Sequence, residues 1–420
     1  MTTGRPEPAR RPTVWVVSEM YYPEETSTGF FLTKIAEGLA SAFPVRAVCG
    51  QPTYSKRGTR APYRETHNGV LIVRAPGTTL DKDVPVFRLA NMLTVSGSIF
   101  LHLAAGLRRQ DAVLVVTTPP LLPFIARAAS WVRGAKCVLL VHDVYPDNMI
   151  AAGLIRRGSV AAAVLGAMTR ALYRSVDRIC VLGRDMRELV ARRRGRGGTE
   201  GITIIPNWAG DDLLDDPEQG PSTLIAELGL TGKFVAQYAG NMGPLHAIED
   251  LVAAAARLRE TLPQVHFLFI GSGGKKRWLE DAVRARGLSN VTVLAPRPRT
   301  DQRVFLNACD IAITAFVPGM FGAGVPSRLY NILASGKPIV AAVDDDSEIG
   351  LVIREEAVGW VTRPADVDAL VRAVTEAAAD PDRLRQMAGR ARASVRAKYT
   401  SRAIMQAYTT LFGTVLVDAR

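Results

Sequence analysis

Short apolar runs rich in valine and isoleucine alternate with longer amphipathic stretches along the chain. This alternation is typical of parallel strands joined by crossover helices, because strands buried on both faces are apolar throughout. The sequence therefore predicts an α/β fold. In the first half the predicted strands are Val14–Ser18, Val45–Cys49, Val70–Ala75, Ala112–Val116, Cys137–His142, Arg178–Leu182 and Ile202–Ile205.

A polar segment rich in Asp, Gly and Pro, Asn207–Pro221, separates this series from a second one. The second series comprises Phe234–Tyr238, Val265–Ile270, Val291–Leu294, Ile311–Ala315, Pro338–Val343 and Gly359–Thr362. A chain of 420 residues exceeds the roughly 250 to 300 residues at which single cores stop growing. We therefore expect two facing Rossmann-like domains with the active site in the cleft between them. The predicted parts are a flexible N-terminus (1–12), an N-terminal domain (13–210), a linker (211–221), a C-terminal domain (222–400) and a helix (401–420) that crosses back to the first domain.

Charge and cysteine usage limit the class of partner and the compartment. The net charge of +12 favours an anionic partner such as a phosphorylated molecule, an acidic lipid or nucleic acid. The four cysteines show no CxxC spacing, so neither a disulfide framework nor a zinc site is predicted. The first residues lack the apolar core of a signal peptide. These features favour a cytoplasmic protein.

One uncharged stretch, Leu89–Leu107, is 19 residues long and mostly apolar. Two interpretations stay open. Together with nearby arginines the stretch could form an apolar and basic face that rests on an anionic cytoplasmic membrane. Alternatively it is a buried helix and the arginines are a solvated surface. The basic run Ala191–Gly198 is most simply a solvated loop. The other arginines considered are Arg108, Arg109, Arg133, Arg156 and Arg157.

The corners where a strand leads into a helix are the places to search for a ligand site, since open α/β sheets bind ligands beyond the carboxyl ends of their strands. The first corner, Tyr21–Phe31, contains Thr28, which can cap the helix, and Gly29, which lets a backbone come near a ligand. The alternative is a plain capped turn. The second corner, Val141–Asn148, carries His142 and Asp143, which can orient or polarise a sugar hydroxyl. Structural roles, an Asx turn and a core histidine, are the alternative there.

Two further corners lie in the second half of the chain. Tyr238–Leu251 places Gly240 and Gly243 between a strand and a helix, which allows close approach to a phosphate but is weak evidence alone. Met320–Val340 is more specific. Its glycine-rich loop leads through Ser327 and Arg328 into a short helix, where an arginine and free amides suit a pyrophosphate; Asn331 follows one turn later and could bond ribose hydroxyls.

The order of these segments, YYP…TG, HDVYPDN, IIPNW, YAGNMG, FIGSGG and VPSRLYNILASGKPIV, resembles glycosyltransferase family 4, the retaining GT-B enzymes. The resemblance covers residues 13–415 and is strongest to the O-antigen N-acetylfucosamine transferase-like subgroup. It implies a transferase that moves a hexose or N-acetylhexosamine from a nucleotide sugar, expected to be UDP-linked, to a cell-envelope polysaccharide or lipid-linked acceptor.

The resemblance also assigns roles to individual residues. Gly29, with Thr28 beside it, is expected near the donor phosphate or sugar, and His142 and Asp143 are expected to face the transferred sugar. Arg328 is expected to meet the pyrophosphate. The remaining residues expected to bind the donor are Asn241, Gly243, Lys276, Arg299, Gly322, Gly324, Ser327 and Asn331.

The chain departs from the family pattern at several of these positions. Where family members often carry two glutamates eight positions apart, this chain has Ala323 and Asn331, so backbone amides such as those of Gly322 and Gly324 would have to replace the first. A basic pair expected after the first strand of the second domain is replaced by Asn241 and His246. The residues that could compensate are Lys275, Lys276, Arg297 and Arg299.

The implied chemistry requires neither a covalent cofactor nor a metal, because catalysis consists mostly of stabilising the departing pyrophosphate. The acidic run Asp344–Asp346 could be interpreted as a metal site, but acidic loop caps are commoner than metal sites.

Two alternative functions stay open: transfer to a soluble small-molecule or antibiotic acceptor, and a sugar-nucleotide epimerase on the same scaffold. A nucleic-acid binder is disfavoured by the 7% aromatic content, which provides few stacking platforms.

Overall fold

The computed structural model describes residues 11–52, 60–80, 84–195, 198–214 and 222–417. Its first half builds an eight-stranded sheet with the order β3-β4-β2-β1-β5-β6-β7-β8. Every neighbouring pair is parallel except β3 and β4. The strands are β1 Val14–Val17, β2 Val45–Cys49, β3 Arg64–His67, β4 Val70–Arg74, β5 Ala112–Val116, β6 Lys136–Val141, β7 Arg178–Val181 and β8 Ile202–Ile204. The helices are α1 Ser27–Ala40, α2 Pro85–Gly106, α3 Leu122–Arg133, α4 Asp147–Ala151, α5 Val160–Ser175 and α6 Arg184–Arg194.

The second half builds a six-stranded, fully parallel sheet with the order β11-β10-β9-β12-β13-β14. Its strands are β9 Phe234–Asn241, β10 Val265–Ser272, β11 Val291–Leu294, β12 Ile311–Ala315, β13 Ile339–Ala342 and β14 Gly359–Thr362. Its helices are α7 Thr223–Glu227, α8 Ile248–Thr261, α9 Lys276–Ala285, α10 Gln302–Leu306, α11 Leu329–Ala334, α12 Glu348–Glu355, α13 Val367–Ala379 and α14 Pro381–Lys398. The predicted α/β class with two parallel sheets is confirmed.

The final helix, α15 Ser401–Val417, belongs to the first core although it follows the second sheet in sequence. Its apolar side chains, among them Tyr408 and Phe412, belong to the same core as those of β5 and α1, the elements on which the helix packs. Burial of this face against the first sheet removes apolar area from water at roughly 25 cal/mol per Å². The helix therefore returns the chain from the second domain to the first, and its first residue, Ser401, donates to the Asp211 carboxylate of the predicted linker.

The chain passes from one core to the other within two residues. Trp208 packs edge-to-face on Phe31 of the first core, with ring centroids 4.6 Å apart, whereas Ala209 lies in a core of the second domain. The predicted linker continues to residue 221, and its part from 215 to 221 lies outside the described residues, as do residues 1–10 of the predicted flexible N-terminus.

Local structure differs from the sequence prediction in three places. β3, with the sequence RETH, was not predicted because it is a polar edge strand; it pairs with β4 through a tight turn at Asn68 and Gly69, both at positive φ. The cap of α1 is Thr26, whose hydroxyl accepts from the Gly29 amide, and not Thr28. Residues 191–194 of the predicted basic loop form the last turn of α6, where positive charge favours a helix end.

The apolar stretch of α2 from Leu89 to Gly106 is long and apolar enough to cross a membrane by length and composition, and 22% of it is buried. One face of the helix lies on the first core, where Ile99 and Leu103 are fully buried. Several apolar side chains on its other faces are exposed, including Leu89, Leu93 and Leu101.

Candidate active site

The two domains meet at the carboxyl ends of their sheets. Asp143, two residues after β6, forms an antiparallel bridge with Gly324 of the glycine-rich loop. Next to it, the Val144 amide donates to the Ala323 carbonyl at 3.0 Å. Two loops that lie 180 residues apart in sequence are thus joined by backbone hydrogen bonds, so the second and fourth predicted corners line one cleft.

His142 and Asp143 are held on the first-domain side of this cleft by the loop after β5. The Thr117 hydroxyl accepts from both of their backbone amides at 3.1 Å, and the Thr118 hydroxyl donates to an Asp143 carboxylate oxygen at 3.1 Å. Burial lowers the pKa of His142 to about 4, so the imidazole is neutral at pH 7. Its Nε2 atom is buried and has no hydrogen-bond partner among the described residues. Burial also raises the pKa of Asp143 above its usual range.

Arg328 lies at the carboxyl end of β9 on the second-domain side. Its guanidinium donates to the Ala239 carbonyl and lies 5.2 Å from the centre of the Tyr238 ring. A side chain at Gly240, which has φ of 145°, would occupy the space of this guanidinium. The absence of a side chain at Gly240 therefore leaves the space that the Arg328 guanidinium fills. From the sequence we expected only that this glycine lets a phosphate approach the backbone.

The turn between β9 and α8 is packed against the turn after β10. Gly273 has φ of 145°, and a Cβ there would lie 2.5 Å from the Met242 carbonyl carbon and 2.7 Å from the Asn241 side-chain oxygen. Gly243 lies against the Asn241 amide, where a Cβ would be 2.9 Å from Nδ2. Asn241 and Gly243 are thus brought together at the cleft edge of the second sheet.

The basic residues after β10 are engaged within the protein. Lys275 donates to the His246 carbonyl and to Glu249, both at 2.8 Å, and Lys276 lies 3.8 Å from Glu280. Burial, reinforced by Arg328 and Lys275, lowers the pKa of His246 to about 3. His246 therefore carries no charge at pH 7 and does not replace the cation that the family pattern has at this position.

The start of α1 contacts the second domain at two points. The hydroxyls of Ser27 and Ser327 lie 2.8 Å apart. The Arg299 guanidinium lies over the Phe30 ring, 3.4 Å from its centre, and its buried Nη2 has no hydrogen-bond partner among the described residues. Burial lowers the pKa of Arg299 to about 10. Gly29 is itself buried and packs on its own loop, where a Cβ would lie 3.0 Å from the Glu24 carbonyl oxygen.

Two predicted donor contacts are occupied by protein groups. The Gly322 amide donates to the Asp185 carboxylate at 3.2 Å, and the Asn331 side-chain oxygen accepts from the Gly210 amide at 2.9 Å. The prediction that these residues bind the donor stays a prediction, and donor binding through the Gly322 amide or the Asn331 oxygen would have to replace these hydrogen bonds. Both hydrogen bonds join the second domain to the N-terminal domain, one at Asp185 and one at Gly210, the last residue before the predicted linker.

One interdomain ion pair could not be predicted from the sequence. Arg184, at the start of α6, donates from its backbone amide at 2.7 Å and from Nε at 3.0 Å to Glu348 of α12, and from Nη1 to Glu355 at 2.5 Å. Nothing in a sequence spacing of 164 residues identifies such a pair. The low exposure of its side chain, 9%, distinguishes Glu348 from an ordinary surface glutamate.

The acidic run Asp344–Asp346 stands before α12, whose cap is Ser347. Asp345 pairs with Arg354 at 3.4 Å, and the Ser347 hydroxyl donates to the Asp344 carbonyl at 2.6 Å. In the described ranges no three His, Cys, Asp or Glu side chains are grouped so that they could hold a metal ion. The run acts here as a helix-capping loop.

Comparisons with known proteins agree with this architecture. The model described as "Glycosyl transferase 4-like domain" matches residues 28–208, and "Glycosyl transferases group 1" matches residues 223–394. The probable glycosyltransferase WbjE of Pseudomonas aeruginosa is 32% identical, with 86% of this chain and 88% of WbjE covered. The putative colanic acid biosynthesis glycosyl transferase WcaI of Escherichia coli K12 is 26% identical, with 85% and 90% covered.

Among solved structures, Alr3699/HepE of Anabaena in complex with UDP-glucose superposes with a TM-score of 0.72 at 16% identity, covering 96% of this chain and 99% of that one. Because the sequence identity is only 16%, this similarity shows a shared fold and nothing about the substrate. The sequence matches extend over both domains and include a relative above 30% identity along nearly its full length. The chain therefore belongs to the GT-B glycosyltransferases, and its activity is glycosyl transfer.

Proposed function

We propose that the protein transfers a hexose or N-acetylhexosamine from a UDP-sugar to a glycan or lipid-linked acceptor of a cell-envelope polysaccharide, with retention of the anomeric configuration. The name of WcaI, a putative colanic acid biosynthesis glycosyl transferase, supports an acceptor of this class. The motif resemblance supports the N-acetylfucosamine transferase-like subgroup. A soluble small-molecule or antibiotic acceptor is the alternative to this acceptor class.

The observation that carries the proposal is the position of Arg328. Its guanidinium lies at the carboxyl end of β9, where it donates to the Ala239 carbonyl and lies beside Gly240. A cation at this edge of a parallel sheet faces the place where a diphosphate binds in open α/β folds. An arginine also matches phosphate geometry through two parallel N–H donors.

The expected chemistry follows from this arrangement. The acceptor hydroxyl attacks the anomeric carbon on the face from which the UDP departs. The bond between that carbon and the phosphate oxygen breaks, UDP leaves with the electron pair, and the acceptor proton passes to a phosphate oxygen. Arg328 stabilises the charge that develops on the leaving group, while the neutral imidazole of His142 and the carboxyl group of Asp143 orient the sugar hydroxyls.

Calorimetry of the purified protein with UDP, GDP and UDP-glucose tests the donor assignment, which the UDP-glucose complex of HepE supports. We expect saturable UDP binding that weakens at least tenfold in Arg328→Ala. Arg277→Ala, which removes an arginine of α9, is the matched control and is expected to bind UDP as the unaltered protein does. GDP binding without UDP binding would contradict the nucleotide assigned here, and unchanged UDP affinity in Arg328→Ala would contradict the role of Arg328.

Two further measurements address the mechanism. Proton NMR of the initial product with a defined acceptor should show the anomeric configuration of the donor, and an inverted product would reject retention. We also propose that no metal is required, because the positive charge at the diphosphate comes from the protein. Turnover should then survive extensive treatment with EDTA, and its loss with recovery on Mg²⁺ or Mn²⁺ would overturn this part.

The partner of the first domain is proposed to be an anionic cytoplasmic membrane, on the basis of one face built by α2, α3 and α5. Helix α3 packs against both of the others. The three helices contain no aspartate or glutamate, and their exposed cations include Arg133 and Arg170. The exposed apolar side chains on this α2–α3–α5 face are Leu89, Leu93, Leu101, Trp131, Val132, Val160 and Val164. Apolar and basic groups without carboxylates suit a surface of acidic lipids.

Co-sedimentation with vesicles tests this contact. Phosphatidylglycerol vesicles should retain the protein and phosphatidylcholine vesicles should not. Trp131→Ala, which removes a side chain 73% exposed on the α2–α3–α5 face, should reduce the bound fraction several-fold. Trp278→Ala on α9 of the second domain is the matched control, since its side chain is also partly exposed at 39%. Equal loss in both variants would reject this face.

A further inference from the structure

A cavity of about 320 Å³ lies in the second domain, away from the cleft. Its walls come from the amino ends of β12 and β13, the end of α11, and α14. The cleft lies at the opposite, carboxyl ends of the same strands. The volume falls at the lower end of the range typical of small-molecule sites, roughly 300 to 1,000 Å³. The cavity is therefore large enough for a compact metabolite and separate from the donor site.

Three cations and one carboxylate line this cavity: Lys337, Arg385, Arg392 and Asp310. Asp310 is committed to the protein, since its carboxylate accepts from the Val235 amide at 2.7 Å. Lys337 donates to the Cys309 carbonyl at 2.8 Å, and Arg385 pairs with Asp382, so both cations are partly engaged. The balance of charge is positive, so an anion is favoured over a cation or a neutral sugar.

Arg392 is the least committed of the cations. It is half-buried, and its guanidinium lies against Gly336, where any Cβ would overlap it. Gly336 has φ of 64°, a conformation that glycine adopts without strain. Among the described residues Arg392 has no ion pair or hydrogen-bond partner, and the same holds for the buried hydroxyl of Ser335, which also lines the cavity. An arginine and a hydroxyl beside a cavity form a donor set that suits a phosphate.

The cavity is also connected to the donor site by two short paths. Helix α11 spans six residues, about 9 Å, between Arg328 at the cleft and Ser335 at the cavity. Leu213, which lines the cavity, is a linker residue three positions after Gly210, and the Gly210 amide donates to Asn331 of the same helix. A ligand that shifts the end of α11 would therefore act on both the arginine at the donor site and the interdomain linker.

We propose that this cavity binds a phosphate monoester of sugar-phosphate size through Arg392, Arg385 and Ser335, and that its occupancy changes the affinity of the cleft for the donor. The binding part stands independently of the transferase, whereas the coupling part rests on the proposed function. Coupling of this kind is reciprocal, so the donor would change the affinity for the phosphate monoester by the same factor.

The test is calorimetry of the full-length protein with glucose 6-phosphate, inorganic phosphate and glucose. We expect saturable binding of glucose 6-phosphate, weakened at least tenfold in Arg392→Gln and changed less than twofold in Arg396→Gln. Arg396 is exposed on the same helix and does not line the cavity. Equal affinity for inorganic phosphate would support recognition of the phosphate group itself, and tighter binding of glucose 6-phosphate would support recognition of the sugar as well.

Arg385→Gln provides a second variant if Arg392→Gln is unstable by circular dichroism, and we expect it also to weaken binding. The proposal is overturned if glucose binds as well as its phosphate, if no phosphate binds, or if the folded cavity variants bind as the unaltered protein does. Measurement of UDP affinity with and without saturating glucose 6-phosphate tests the coupling, for which we expect at least a twofold change. If UDP does not bind at all, the proposed function fails while binding to the cavity stands on its own measurement.

Discussion

The hydroxyls of Ser27 and Ser327 lie 2.8 Å apart and join the first turn of α1 to the loop before α11. With the Arg299–Phe30 contact and the Asp143–Gly324 bridge, they hold the two domains in contact around the cleft. We expect a nucleotide sugar that binds between the domains to separate some of these contacts. We therefore expect domain opening to precede donor entry.

A disulfide between these two positions should stop that opening. We expect Ser27→Cys/Ser327→Cys to lose more than nine-tenths of its turnover when oxidised and to regain it in dithiothreitol. Each single cysteine variant should be insensitive to oxidation, which is the control. Formation of the bond is followed by a thiol titration under denaturing conditions. Full activity of a fully cross-linked protein would contradict the need for opening.

Gly240→Ala should impair donor binding because a methyl group there occupies the space of the Arg328 guanidinium and requires an unfavourable φ. We expect UDP affinity to fall about tenfold. Gly166→Ala is the matched control: it lies within α5, its added methyl meets nothing within 4 Å, and it should stabilise the fold by roughly 0.5–1 kcal/mol. Calorimetry and urea unfolding measure the two effects. Unaltered UDP affinity in Gly240→Ala would count against the assigned position of Arg328.

Asn331→Ala should destabilise the protein by about 1–3 kcal/mol, because it leaves the buried Gly210 amide without its acceptor. Urea unfolding measures the change. Gln406→Ala removes an exposed amide side chain from α15 and should change stability by less than about 0.5 kcal/mol. If Asn331→Ala instead leaves stability unchanged and weakens only UDP binding, the side chain serves the ribose and not the linker.

His142 should make the protein less stable at mildly acidic pH. Its pKa is about 4 in the folded protein and about 6.5 in the unfolded chain, so the unfolded chain takes up the proton first as the pH falls. Stability is complete above pH 6.5 and declines as the pH falls toward 4. Between pH 7 and pH 5 the unaltered protein should lose about 2 kcal/mol more than His142→Gln. Urea unfolding of both proteins at the two pH values checks this, and parallel losses would show that His142 titrates normally.

The strands could be predicted from the sequence because the apolar pattern of a buried strand lies within a few consecutive residues. A strand buried on both faces, such as Ala112–Val116, is apolar at every position, and glycine marks the ends of neighbouring helices. The exposed edge strand Arg64–His67 gives no such signal, since its residues are polar and its pairing with β4 comes from a turn. The same locality placed His142, Arg328 and the glycine loops at strand ends and hence at one edge of each sheet.

What the sequence determined by itself is the fold class, the two sheets and the set of loops that border the cleft, because these follow from the periodicity of burial and from the short range of helix and strand signals. Only the tertiary structure shows which polar atoms already have a hydrogen-bond partner within the protein. The Asn331 oxygen, the Gly322 amide and the carboxylate of Glu348 are engaged by residues more than 100 positions away. A hydrogen bond depends on the distance between two atoms, and between distant segments that distance is fixed only when both domains pack.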